Sequence, residues 1–234
     1  MQALQDIIDT INQAFEAKSV IRDQTLSRSR ELIRTCANSI RATHRGDDKE
    51  ARSLLEHART VAQQMSSEAQ TYPDIYHAGY TQDALKELAE AHLTRAVILG
   101  EPVPGPDELG VEYAAYLNGL AEAAGELRRF ALDALRRGQV GRSEKILSHM
   151  DDIYSMLITV DFPSAITGGL KRSTDMVRGV LERTRGDVTT AVRQEAMKAA
   201  LHNFEQRMGI DGAQMDDKSS EFLIEDEDTT DSSQ

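Results

Sequence analysis

Apolar side chains recur every three or four residues along most of the chain, which is the spacing of one face of an α-helix. Three clear examples lie within residues 32–40, 54–65 and 146–157. Their members are Leu32, Ile33, Cys36 and Ile40, then Leu54, Leu55, Ala58, Val61 and Met65, then Ile146, Met150, Ile153, Tyr154 and Leu157. Clusters of β-branched and aromatic residues, which favour strands, are scarce. The pattern predicts an all-α protein.

Glycine, proline and aspartate interrupt this helical pattern at several points. The interruptions lie at 46–48, 72–79, 100–106, 138–141, 161–163, 186–187 and 209. Gly138, Gly186 and Gly209 stand where glycine commonly ends a helix. The intervening stretches predict seven helices that form a single bundle over residues 1–209, without an internal repeat or a mid-chain linker.

Composition narrows the class of protein. A single cysteine among 234 residues excludes an intrachain disulfide framework and indicates a reducing compartment, so we expect a cytoplasmic location. The first fifteen residues carry acidic side chains and no basic start, so a signal peptide is not expected. No apolar run approaches the ~20 residues of a membrane span, and no membrane partner is expected.

Two predicted helices carry acids at spacings that place them on one face. Glu87 and Glu90 are three residues apart in a largely apolar setting, and Glu122 and Glu126 are four apart among alanine, glycine and leucine. Like charges at these spacings repel, and no cation follows the second pair until Arg128. Small residues around Glu122 would let another helix or a substrate approach closely.

If the two acidic faces meet, four carboxylates converge, and such a cluster needs protons or cations to neutralise it. Oxygen ligands without cysteine or histidine suit Mg²⁺, with Mn²⁺ as the alternative. A di-iron site is disfavoured, because the chain lacks paired Glu-x-x-His motifs and His92 follows Glu90 by two positions. Solvated helix faces without any metal are the other interpretation of the same spacing.

Arginines form a basic stripe in the first part of the chain. Residues 20–46 hold six arginines against Asp23 and Glu31, a local charge of +4. The candidate nucleic-acid-binding residues of the stripe are Arg30, Arg34, Arg41 and Arg45, with Asn38 and His44 close to them. Arginine binds phosphates by paired hydrogen bonds, and with few aromatic residues available, binding would depend on backbone and shape. A solvated face paired with acids remains the alternative.

The net charge of −12 is concentrated at the end of the chain. Residues 211–234 hold nine acidic side chains and one lysine, so they carry −8 and residues 1–210 carry −4. Such a segment buries too little apolar surface to order itself, so residues 210–234 are predicted to be a disordered acidic tail. Solubilisation, docking through residues 222–224 and competition with RNA for a basic surface are its open roles.

The order of these segments resembles the translin family, in particular its Trax (translin-associated factor X) branch and that branch's prokaryotic and archaeal relatives. Residues 26–45 are similar to the family's first helix, and residues 150–154 to a later position. Residues 86–91, Lys-Glu-Leu-Ala-Glu-Ala, resemble the Trax stretch Gln-Glu-Tyr-Val-Glu-Ala. Residues 116–127 resemble Tyr-Leu-x-Gly-x-Ala-Asp-x-x-Gly-Glu-Leu and are the most specific match, because two glycines and two acids coincide.

The resemblance implies a seven-helix bundle that assembles into a homo-octameric shell enclosing short RNA, and an Mg²⁺-dependent endoribonuclease activity. By position, Glu87, Glu90 and Glu122 would be catalytic and metal-binding, with Glu126 as the fourth acid that binds the metal or positions the water. The chain has Glu122 where the Trax stretch has aspartate, and the extra methylene shifts the carboxylate by roughly 1.5 Å.

Two rival functions stay open. The same shell would bind RNA or single-stranded DNA without cutting it, which predicts salt-sensitive binding that needs no divalent ion. Alternatively, the arginines and glutamates only pair across helices and subunits, which predicts no retention of nucleic acid at low salt. An arginine stripe exposed on the outer surface of an assembly, away from the acids, would favour this structural function.

Overall fold

The structure is a computed structural model that describes residues 1–208; Gly209 and the predicted acidic tail at 210–234 lie outside the described residues. The described part consists of helices and their connections and contains no strand, so the predicted all-α class is confirmed. None of its helices combines the length and apolarity needed to cross a membrane.

Six long helices and three single-turn helices make up residues 1–208. The long ones are α1 (Gln2–Arg45), α2 (Asp48–Ala69), α4 (Gly79–Leu99), α6 (Tyr113–Arg136), α7 (Val140–Leu157) and α9 (Leu170–Met208). The short ones are α3 (Pro73–Tyr76), α5 (Pro106–Leu109) and α8 (Ser164–Thr167). α3 lies within the predicted interruption at 72–79, α5 begins at the last residue of the one at 100–106, and α8 directly follows the one at 161–163. A proline starts α3 and α5 and precedes α8, and left-handed glycines, Gly110 and Gly168, end α5 and α8.

The turn between α1 and α2 shows how local chemistry sets these boundaries. Gly46 adopts a left-handed conformation with φ of 80°, which ends α1. The Asp47 side chain then accepts a hydrogen bond of 3.0 Å from the backbone N–H of Glu50 and caps the start of α2. The two helices therefore fold back on each other as an antiparallel pair, and they pack together extensively.

The prediction that a helix ends at Gly186 is wrong, because α9 continues through this residue. Leu181, Thr184 and Val188 are buried on either side of it, so the same face stays packed across the glycine. That packing outweighs the ~1 kcal/mol by which glycine weakens a helix interior. Because α9 does not break at Gly186, the described residues form six long helices where the sequence predicts seven.

Two apolar cores meet at the contact between α4 and α6. One core is built mainly from α1, α2 and α4, and the other from α6, α7 and the first part of α9. The predicted apolar faces are largely confirmed, since Leu32, Cys36, Met65 and Met150 are fully buried. Because α4 and α6 lie between the two cores, polar residues at their contact are partly shielded from water.

The first turns of α1 carry apolar side chains without a covering neighbour. Residues 2–17 are all exposed, and an apolar face recurs there with the helical period. It consists of Leu4, Ile7, Ile8, Ile11 and Phe15. The described residues divide into two compact units, 1–191 and 192–208. Of the second unit, the described residues belong to α9 and expose Met197, Leu201, Phe204 and Met208.

Candidate metal centre

Glutamates from two helices meet where α4 packs on α6. Glu87 and Glu90 lie one turn apart on α4, and Glu122 lies on α6. Each of the three offers a carboxylate oxygen, and these oxygens all lie within 4.8 Å of one another. We call Glu87, Glu90 and Glu122 the acidic cluster. The structure thus brings together three of the four acids that share helical faces in the sequence.

Gly119 determines how closely the two helices approach. A β-carbon at this position would lie 2.6 Å from the backbone oxygen of Lys86 and 2.9 Å from the β-carbon of Ala89. A side chain there would push α4 away from α6 and separate the acids. A β-carbon at Gly125, in contrast, would meet nothing within 4 Å. The close approach that the small residues indicate therefore occurs at Gly119 and not at Gly125.

Glu90 is the most buried member of the acidic cluster, with 9% of its surface exposed. Burial, followed by the charges of Glu87, Glu122 and Glu126, raises the pKa of Glu90 to about 8, although Lys86 opposes the shift. At neutral pH this carboxyl group therefore mostly keeps its proton. Burial is also the main cause that raises the pKa of Glu87.

Lys86 is a member of the site that the sequence did not single out. Its Nζ lies 2.6 Å from Oε1 of Glu122 and 3.8 Å from Oε1 of Glu87. Burial by itself would lower the pKa of Lys86, but the hydrogen bond and charge of Glu122, together with other acids, raise it. The ammonium group is therefore charged and neutralises part of the cluster. The sequence shows that Lys86 is next to Glu87, but it does not show the contact with Glu122, which lies 36 residues further along the chain.

Glu126 has a different environment from the acidic cluster. Its Oε2 lies 2.5 Å from Nε2 of His44, a buried residue of α1, and 3.8 Å from Arg129. The hydrogen bond with His44 lowers the pKa of Glu126, so this carboxylate stays ionised. His44 therefore faces the acids rather than the arginine stripe, and its buried Nδ1 has no hydrogen-bond partner among the described residues.

The three glutamates of the acidic cluster fit a small divalent cation. An octahedral Mg²⁺ binds oxygens at about 2.0–2.1 Å, so ligands on opposite sides are about 4 Å apart. Oxygens within 4.8 Å of one another reach that geometry through small side-chain rotations. Because the donors are all carboxylates, they suit Mg²⁺ or Mn²⁺ better than a soft metal. The remaining octahedral positions would be left for water or substrate.

A cleft of about 790 Å³ adjoins the acidic cluster. Lys86 and Glu122 line it on one side, and Gln82, Tyr113 and Asn118 also contribute to its wall. Its volume falls within the roughly 300–1,000 Å³ of typical ligand sites. A ligand in this cleft would contact the exposed side of Glu122.

The arginine stripe does not join the acids within the chain. Its members, all exposed on α1, are Arg30, Arg34, Arg41 and Arg45. With 3.6 residues per turn, they share the side of α1 turned away from Cys36. Burial, and after it the charges of Glu87 and Glu90, raise the pKa of the Cys36 thiol. The side of α1 that carries Cys36 therefore faces the acidic cluster, and the side that carries the arginines does not.

Two arginines of the stripe already have local partners. Arg41 donates a hydrogen bond of 2.6 Å to Asn38, and Arg45 forms an ion pair of 2.6 Å with Glu50. Both arginines are exposed, and exposed contacts of this kind contribute little stability, so a phosphate can replace Asn38 or Glu50 as the partner. The stripe therefore stays available for phosphate binding on the surface of the chain.

Similar proteins and similar solved structures show which family this chain belongs to. No family model matches the chain. An uncharacterized protein of Methanocaldococcus jannaschii is 31% identical over 186 residues, which cover 79% of this chain and 82% of that protein. The structure of AfC3PO in complex with duplex RNA is 33% identical and has a TM-score of 0.75, covering 80% of this chain and 97% of that chain. AfC3PO is a translin-type complex. The chain belongs to the translin family.

Further structures agree with this assignment. The crystal structure of AfC3PO, also 33% identical, has a TM-score of 0.74 with this translin-family chain and covers the same shares of both chains. That of apo-NeC3PO is 22% identical with a TM-score of 0.73, covers 79% of this chain and 96% of that chain, and shows the shared fold. The expected translin-like fold is thereby confirmed.

Proposed function

We propose that this translin-family protein binds RNA and hydrolyses its phosphodiester bonds with a divalent cation held by the acidic cluster. The observation that carries the proposal is the convergence of three carboxylate oxygens within 4.8 Å of one another beside a cleft. AfC3PO, at 33% identity, forms a complex with duplex RNA, which supports RNA as the ligand. Because Glu87, Glu90 and Glu126 match acids of the Trax stretches and Glu122 stands at an aspartate position, we propose that the chain belongs to the Trax-like branch with its prokaryotic relatives.

The four acids have different roles in the proposed reaction because their environments differ. A bound Mg²⁺ or Mn²⁺ lowers the pKa of water and neutralises phosphate oxygens. Glu87, Glu90 and Glu122 would hold the cation, and the proton on Glu90 would leave when the cation binds. Glu126 is kept ionised by its hydrogen bond with His44 and lies beside the cluster, where it would position the attacking water or bind the cation as a fourth ligand.

The deciding experiment is cleavage of labelled short RNA, single-stranded and duplex, in Mg²⁺ or in EDTA. We expect products with Mg²⁺ only, and loss of cleavage in Glu122→Ala with oligomeric state and RNA binding intact. Glu144→Ala, which removes an exposed glutamate of α7, is the matched control and should cut normally. Unchanged cleavage by Glu122→Ala would remove the assignment of the site.

A second candidate function, RNA or single-stranded DNA binding without cleavage, is favoured by one observation. The acidic cluster is already partly neutralised, since Lys86 pairs with Glu122 and burial keeps a proton on Glu90. A cluster in this state needs no metal to be stable. This function predicts binding that weakens with salt and is insensitive to EDTA, with no products in either condition.

We further propose that the chain self-associates into a homo-octameric shell around the RNA. The exposed apolar face of α1 supports association, because apolar patches of this kind usually mark contact surfaces. The arginine stripe lies on the same helix and would bind phosphates where copies of the chain come together. The subunit number of eight comes from the family resemblance, and light scattering would measure it.

A further inference from the structure

We propose that Lys86 is the built-in counter-ion of the acidic cluster: it holds Glu122 when no metal is present, must release it when a divalent cation binds, and so lowers the cluster's cation affinity. The inference rests on the proposed metal site and concerns a residue of that site which would not itself hold the cation. It follows from the position of one ammonium group between acids of two helices.

The contacts of Lys86 span the contact between α4 and α6. The residue belongs to α4, and its Nζ lies 2.6 Å from Glu122 on α6 and 3.8 Å from its neighbour Glu87. Four-fifths of its side chain is buried, so solvent screens these interactions less than on an open surface. Lys86 therefore binds two of the three residues that would hold the cation.

A divalent cation and this ammonium group compete for the same carboxylates. A cation bound to Glu122 at about 2 Å would lie within a few ångströms of Nζ, where two positive charges repel strongly. The four-carbon stem of lysine is flexible, so Nζ can turn away without any movement of α4. The cleft that Lys86 and Glu122 line together provides room for the released side chain.

The balance of charge within the site leads to the same conclusion. Lys86 places its ammonium group 2.6 Å from Glu122 and 3.8 Å from Glu87, so it offsets part of the charge that the acidic cluster presents to a cation. The free site therefore attracts a cation less strongly than the carboxylates alone would. Removing the ammonium group leaves two uncompensated carboxylates, which only a cation would then neutralise.

The test measures Mn²⁺ binding to the metal-stripped full chain, by calorimetry or by the electron paramagnetic resonance of free Mn²⁺. Lys86→Met keeps the length of the side chain and removes its charge, and we expect it to bind Mn²⁺ roughly fivefold more tightly than the wild type. Lys18→Met is the matched control, because it also removes one charge and an ion pair of 2.6 Å, with Asp74, outside the cluster. It should leave the affinity unchanged.

Each outcome decides between the inference and the metal site itself. Equal or weaker binding by Lys86→Met than by the wild type overturns the inference alone. If neither protein binds Mn²⁺ in a manner that Glu87→Gln abolishes, the metal site and the inference both fail. Lys86→Arg, which restores the positive charge, should return the affinity towards that of the wild type.

Thermal unfolding provides a second readout, because loss of a purely structural lysine would lower the melting temperature equally with and without Mn²⁺. In EDTA, Lys86→Met should melt below the wild type, because Glu122 loses its partner beside Glu87. Saturating Mn²⁺ should close this gap, because the cation replaces the ammonium group in both proteins. A gap of the same size with and without Mn²⁺ would contradict the proposed competition.

Discussion

At the scale of single residues, the site consists of ionisable groups whose environments drive their pKa values apart. Burial and neighbouring acids raise the pKa of Glu90 to about 8, whereas the hydrogen bond with His44 lowers that of Glu126. Two carboxyl groups on facing helices therefore differ in protonation at neutral pH. Such a separation is common where side chains perform acid–base chemistry or bind metals.

The raised pKa of Glu90 predicts how stability depends on pH in the metal-free protein. An unfolded glutamate loses its proton near pH 4.5, but in the fold it does so at about 8, so the folded state loses stability as the pH rises between these values. Glu90→Gln stays neutral and avoids this loss. Each pKa unit corresponds to about 1.4 kcal/mol, so the advantage of the variant should reach a few kcal/mol at the upper end.

Urea unfolding in EDTA between about pH 5 and pH 8 measures this difference. The protein concentration must be held constant, because self-association contributes to apparent stability. We expect the free energies of unfolding of wild type and Glu90→Gln to diverge as the pH rises. Parallel curves would show that Glu90 titrates normally in the fold.

At the scale of helices, the acids come together because α4 packs closely on α6, and this close packing requires a glycine at position 119. We expect Gly119→Ala to destabilise the fold by about 1–3 kcal/mol, because its β-carbon would overlap the backbone of α4. The control Gly125→Ala has free space, and its better helix propensity should stabilise by up to ~1 kcal/mol. Urea unfolding of both variants measures the contrast. Equal effects would mean that the close approach at Gly119 is not needed.

The arginine stripe of α1 leads to a prediction about RNA binding. Arg34→Ala combined with Arg41→Ala should weaken binding without regard to sequence and reduce the logarithmic salt slope by about 1.5 for two lost phosphate contacts. Arg136→Ala with Arg137→Ala removes the same charge at the exposed end of α6 and serves as the control. Fluorescence anisotropy over a range of salt concentrations measures both slopes. Identical slopes for the two variants would exclude the stripe as a phosphate-binding surface.

At the scale of the whole molecule, the uncovered apolar face of α1 calls for a partner surface. Ile11→Lys with Phe15→Lys places charges in this face and should shift the assembly towards smaller species, measured by light scattering after gel filtration. Gln13→Lys lies on the opposite side of the same helix and should leave the assembly intact. An unchanged mass in both variants would show that other surfaces hold the copies together.

Local spacing along the chain was sufficient to predict the helices, most of their ends and the shared faces of the acids. These features depend on residues within a few positions of one another, because helix geometry repeats every 3.6 residues. The prediction at Gly186 was wrong for a related reason: the glycine weakens a helix locally, while buried residues on both sides keep α9 continuous.

The partners of the acids were decided by tertiary structure alone. Lys86 meets Glu122 across 36 positions, and His44 meets Glu126 across 82. Nothing in the spacing of the chain connects such distant positions, because the contacts exist only once α1, α4 and α6 have packed. Charge state follows from the same packing, since burial and a neighbouring ammonium or imidazole group, rather than residue type, determine which carboxyl groups keep a proton.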